Sequence, residues 1–176
     1  MKYEAYPYIF QMNDYSDSNE LLEYTMQYRF KSLRSNHTYI VRVEKYVEHT
    51  YCVKFFDKAN MSSDDKYSLR TATFEPRTIV CTVLNIMFDV LKRDEKASFF
   101  FIGAEDEKDV PGRSTRRFRF YSKFVLSVVT DTIFEHFRSA PLSLYILVNK
   151  KFVNDVESFV NRINNEVAHA MCLGIE

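Results

Sequence analysis

The hydrophobic period changes once along this chain, at Pro76, and that change constrains the fold more than any other feature. Before it, apolar residues recur at every second position. Tyr24, Met26, Tyr28 and Phe30 alternate with Thr25, Gln27, Arg29 and Lys31. Such alternation describes a strand with one buried and one wet face. Tyr39, Val41 and Val43 repeat the pattern, as do Tyr51, Val53 and Phe55. The links at 34–37 and 47–49 are short, so neighbouring strands run antiparallel. Asn60 to Lys66 reads as a polar loop, and Tyr67 to Thr73 as a fourth strand.

From Pro76 the spacing becomes helical. Ile79, Val80, Val83, Leu84, Met87, Phe88 and Leu91 share one helix face. Pro76 suits the first turn, where its missing N–H is no loss. Lys92 and Arg93 suit the negative end of the helix dipole. Ala97 to Ile102 is a compact apolar run that Gly103 ends, which predicts a strand covered on both faces. Ser114 or Thr115 can cap a second helix whose inner face is Phe118, Tyr121, Phe124, Val125 and Val128. Residues 130–138 show no clear period. Leu142, Leu144, Ile146 and Val148 make a last strand. A final helix runs from about Val153 to about Met171, inner face Val156, Phe159, Val160, Ile163, Val167 and Ala170, with Gly174 to end it.

The expected fold is therefore α+β. Residues 21–176 form a single domain with a curved, mainly antiparallel sheet of about five to six strands and about three helices on one face. Residues 1–20 form an aromatic arm, loosely attached and contributing at most one short strand. Tyr3, Tyr6, Tyr8, Phe10 and Tyr15 lie in it without a regular pattern. Rings with one wet edge suit protein interfaces, so the arm either docks on a partner or second copy, or packs back on its own sheet.

Composition narrows the function. The chain has 176 residues and is 46% apolar, enough for a core. Its 24 basic and 24 acidic residues leave a net charge of zero, which argues against a general nucleic-acid coat or a polybasic membrane clamp. Only 3 Gly and 4 Pro leave no material for Gly-rich phosphate loops. No apolar run is long enough to span a bilayer, and the N-terminus does not read as a signal peptide. Three widely spaced Cys fit a reducing, cytoplasmic setting without a disulfide framework.

One cluster stands out. Arg113, Arg116, Arg117 and Arg119 flank Ser114 and Thr115 at the expected start of the second helix. Cations there oppose the helix dipole, so helix stability does not explain them. Together with free N–H groups, they make Arg113, Ser114, Thr115, Arg116, Arg117 and Arg119 a candidate anion site for phosphate or nucleic acid. The plainer reading pairs the four Arg with Glu105, Asp106, Glu107 and Asp109 across the preceding loop. Asp64-Asp65-Lys66 and Asp106-Glu107-Lys108 resemble half of a metal-dependent nuclease motif, but they fall in loops rather than on paired strands. His37, His49, His136 and His169 have no metal-ligand spacing, and Cys52 and Cys81 read as small buried side chains. No catalytic residue, metal or cofactor is expected.

Three stretches carry a resemblance. Thr78-Ile79-Val80-Cys81-Thr82-Val83, Phe99-Phe100-Phe101-Ile102-Gly103 and Arg117-Phe118-Arg119-Phe120-Tyr121 resemble a family of small uncharacterised bacterial α+β proteins. Its pattern is a helix with T-[IV]-x-x-[TI]-[IVL], an aromatic strand, then R-x-R-[LF]-[YF]. That family has no established activity. Its members are similar to accessory proteins of mobile or defence islands, which implies a bacterial setting.

The first expectation is a non-enzymatic interaction or accessory module of a bacterial cytoplasm, whose partner is another protein or a second copy, with no membrane. The alternative is an anion- or nucleic-acid-binding protein using the Arg113–Arg119 cluster. An enzyme comes third, since catalytic residues can converge from distant positions.

Overall fold

The computed structural model describes residues 4–68, 75–105, 108–110 and 113–172. The chain is α+β. Seven strands and three α-helices occur among the described residues, two strands more than the lower expectation and one more than the upper. The chain divides into two compact units, residues 1–97 and 98–176.

The first unit is a meander of β1 (Tyr8–Asp14), β2 (Leu22–Lys31), β3 (Thr38–Tyr46) and β4 (Thr50–Asp57), followed by α1 (Pro76–Arg93). Each strand pairs antiparallel with the next. Register puts Tyr28 opposite Val41, and Val41 opposite Phe55, so the expected apolar set shares one face. Tyr28, Val41 and Val43 are buried, while Val53 and Phe55 are half-buried. α1 lies against this face. Tyr6 N–H donates to Thr82 Oγ1 at 2.8 Å, and the Tyr8 hydroxyl donates to Asp89. Tyr6, Phe30 and Tyr39 stack in a row of rings, with centroids 6.1 and 5.1 Å apart.

The other face is less wet than expected. Arg29 is exposed, but Arg42 and Lys54 are partly buried in ion pairs with Asp14 at 3.0 Å and Glu44 at 3.1 Å. The segment after β4 covers that end of the sheet. Tyr67 packs edge-on against Phe56, and the Lys54 ammonium lies 5.7 Å from the Tyr67 ring centre. Of the expected fourth strand, Tyr67 and Ser68 are in turn conformation, and 69–73 lie outside the described residues.

The arm packs on its own sheet. Tyr8–Asp14 is a seven-residue strand bonded to β2, and Tyr6 is buried. A bulge between Phe10 and Met12 breaks its alternation, which hid it as a strand.

The second unit has β7 (Leu144–Asn149) at its centre, bonded antiparallel to β5 (Ser98–Ile102) and to β6 (Phe134–Ser139). Every residue of β7 is buried, as its continuous apolar run requires. α2 (Arg116–Val128) and α3 (Val156–Cys172) both pack against β7. Phe118, Phe124 and Val125 of α2 and Phe159, Ile163 and Val167 of α3 are buried, whereas Tyr121, Val128, Val156 and Val160 are only half-buried. Phe101 is half-buried rather than core, stacked on Tyr145 with centroids 5.0 Å apart. Among the described residues, no helix is long and apolar enough to cross a membrane.

Candidate functional site

The Arg-rich segment opens α2, with Thr115 as its N-cap. The Thr115 hydroxyl accepts from Phe118 N–H at 3.1 Å and donates to Gly103 C=O at 2.7 Å. Thr115 N–H in turn donates to Ser143 Oγ at 3.0 Å. Thr115 is 1% exposed, so these contacts occupy it and it faces no ligand. The Arg116 N–H donates to Asp109 Oδ1 at 2.9 Å. A carboxylate of the chain itself thus takes the place an external anion would occupy at a helix N-terminus. Arg119 Nη1 donates back to Ser114 C=O. Arg113, Arg116 and Arg119 are exposed, and Arg117 is half-buried with interactions of its own. The expected pairing with Asp106 and Glu107 lies outside the described residues.

The histidines form a feature that the sequence did not advertise. Three of the four bond through Nδ1 to an acidic or phenolic oxygen. His37 bonds Asp57, His49 lies 2.7 Å from Asp94 Oδ2, and His136 lies 2.7 Å from the Tyr145 hydroxyl. His37 sits just after a turn, with Asp57 buried and also capping the 3-10 turn at Lys58–Asn60 through Ala59 N–H at 3.0 Å. Burial lowers the His136 pKa below its ordinary value. No spacing rule could have found these pairs, because their members lie 20, 45 and 9 residues apart.

His49 differs from the other two in its setting. It lines a groove of about 440 Å³ in the first unit, beside Phe10, Tyr24, Lys45, Arg93 and Asp94. Burial pushes the Asp94 carboxyl up, but donors from His49, Tyr51 and the Lys96 backbone outweigh it and hold the group below its ordinary value. A larger groove of about 760 Å³ in the second unit runs past Leu126, Phe134, His136 and Lys150.

The described residues contain no cluster of His, Cys, Asp and Glu able to hold a metal ion. Cys52 and Cys81 are buried free thiols. Burial pushes the Cys52 thiol up to about 12 and raises Cys81, so neither is a ready nucleophile.

The remaining candidate is an edge. β1 pairs with β2 along one side. Ile9, Phe10 and Met12 are 50%, 43% and 49% exposed. Register places Ile9 and Met12 on the face of Arg29 and Gln27, and Phe10 on the α1 face.

Comparison with protein families, with curated proteins and with solved structures finds no match to this chain. The resemblance to small bacterial α+β proteins therefore rests on its three motifs alone.

Proposed function

We propose that this chain is a protein-interaction module of a bacterial cytoplasm whose docking element is β1, and that a second copy is the partner that fits it. The observation that carries this reading is an apolar edge strand. Tyr8 to Asn13 contains no Lys, Arg or Pro, the residues that usually blunt an edge. Its outer backbone groups can bond an added antiparallel strand, and Ile9 and Met12 supply apolar area beside it. The zero net charge removes long-range repulsion between copies. The bulge after Phe10 limits pairing to short stretches, which suits reversible association.

Sedimentation across protein concentration tests this. The wild type should self-associate, and a double Ile9→Lys, Met12→Lys variant should remain a monomer with unchanged unfolding. A wild type that stays monomeric at all concentrations would rule out pairing through β1.

A second reading has one observation in its favour: Arg113, Arg116 and Arg119 are exposed on one short segment. An anion site there predicts that short DNA, RNA or nucleotides bind at low salt and are released as salt rises. Replacing Arg116 and Arg119 by Ala should then weaken binding without unfolding the domain. No binding at low salt would leave these Arg as solvated partners of Asp109 and its neighbours.

A further inference from the structure

The β3–β4 turn breaks a local rule. Glu48 and His49 have φ of 56° and 54°, and Val47 C=O accepts from Thr50 N–H at 3.3 Å. Two central residues at positive φ are the mark of a type I′ turn, which favours Asn and Gly because a Cβ is strained there. Asp94 breaks a second rule. It follows the last turn of α1, where the negative end of the helix dipole disfavours a carboxylate. These two residues meet, with His49 Nδ1 2.7 Å from Asp94 Oδ2. Backbone stability would select neither of them. Conflicts of this kind concentrate where a side chain is needed for its chemistry.

The surroundings indicate what that chemistry is. Asp94 is held independently of His49. The Tyr51 hydroxyl donates to Oδ2 at 2.7 Å, and Lys96 N–H donates to Oδ1 at 3.2 Å. Bonding to this carboxylate puts a proton on His49 Nδ1 and orients the ring. Nε2 is left without a hydrogen-bond partner among the described residues, on a side chain that is 44% exposed and lines the groove. Arg93, also in the lining, is exposed. Its guanidinium lies 5.7 Å from the Phe10 ring centre and forms no ion pair with a described carboxylate. Tyr24 supplies a second ring to the lining.

The geometry points to this groove as a binding site for a small aromatic carboxylate. Its anionic group is met by Arg93 and by His49 Nε2–H, and its flat body by the Phe10 and Tyr24 rings. The site shares Phe10 with β1 but lies on the α1 face of the sheet, opposite the face that carries Ile9 and Met12.

Binding is coupled to a proton, because a neutral Nε2 presents a lone pair to the anion and a protonated one presents a donor. Lys45, on β3, is raised by its hydrogen bond with Glu23. Tyr51, on β4, is pushed far up by burial and by Asp94, and Asp94 itself is held low. Tyr24 and Arg93 also line the groove, and Glu48 precedes His49 in the turn.

NMR titration of the full chain with benzoate, and with benzyl alcohol as the neutral control, tests the proposal. Benzoate should shift His49, Phe10 and Arg93 signals and bind more weakly at pH 8 than at pH 5.5, since deprotonation of the imidazole replaces the Nε2–H donor by a lone pair. Benzyl alcohol should leave those signals in place. Arg93→Ala should remove the response while the chain still unfolds in one cooperative step. His49→Asn should keep the fold, since Asn tolerates positive φ, and should lose the pH dependence. Absent or pH-independent shifts with benzoate up to about 10 mM, a range that captures weak binding, would overturn the site. So would an equal response to benzyl alcohol, or an Arg93→Ala variant that binds as the wild type does.

Discussion

At the scale of a residue, Glu75 shows how one buried charge can tie distant segments together. It is 5% exposed and stands just ahead of α1. The Ser32 and Ser35 hydroxyls each donate to its Oε1 at 2.6 Å, and the Tyr6 hydroxyl donates to Oε2. The arm, the β2–β3 turn and the helix start thus share one acceptor. Burial alone would raise the Glu75 pKa, but the three donors outweigh it and hold it below the ordinary value of 4.5. A carboxylate depressed in the folded state contributes stability that is fully present above the unfolded pKa and is lost as pH falls through the folded one. Glu75→Gln keeps the volume and removes the charge. It should destabilise by about 1–3 kcal/mol at pH 7, as expected when charged hydrogen bonds are lost. Urea unfolding at pH 7 and at about pH 3 should show the gap to wild type shrinking in acid, as pH falls below the unfolded pKa toward the depressed folded one.

At the scale of elements, β5 and α2 meet with no room to spare. A Cβ on Gly103 would come within 2.5 Å of the Phe118 nitrogen and 2.7 Å of its Cα. Backbone cannot retreat as a flexible side chain can, so Gly103→Ala must push the strand end and helix start apart. Overpacking of this kind typically costs about 1–3 kcal/mol, read as a lower urea midpoint. Thr115 bridges the same junction, capping α2 and bonding Gly103 C=O. Thr115→Ala loses the cap and strands a buried carbonyl, so it should cost about 1–2 kcal/mol with an unchanged m value. Ser114→Ala should change stability far less, because the Thr115 hydroxyl, not that of Ser114, caps the helix.

At the scale of the molecule, charge balance governs how copies meet. With a net charge of zero at pH 7, no mean repulsion opposes an encounter through β1. Light scattering should show the strongest self-attraction near neutrality, weakening toward pH 5 and pH 9 as net charge builds. The Ile9→Lys, Met12→Lys variant should flatten that profile, because it removes the apolar contact and adds like charge to each copy.

Strands and helices with one buried face and an unbroken period can be read from the order of residues, because alternation and helical spacing are local records of burial. The Tyr24–Lys31 strand, α1 from Pro76 to Arg93 and α2 with Ser114 or Thr115 as its cap were all legible in this way. β1 and β6 were not. A bulge breaks the period of the first, and the second alternates too weakly, with Phe134 buried but His136 and Phe137 only half-buried. The cluster of four Arg at the start of α2 was visible in the sequence, though whether they paired or stood exposed was not. The use of Arg116 N–H by Asp109 could not be anticipated, nor could the meeting of His49 with Asp94. These contacts arise in the folded chain, because side-chain period states which way a residue faces, while the path of the chain between distant residues states what it faces.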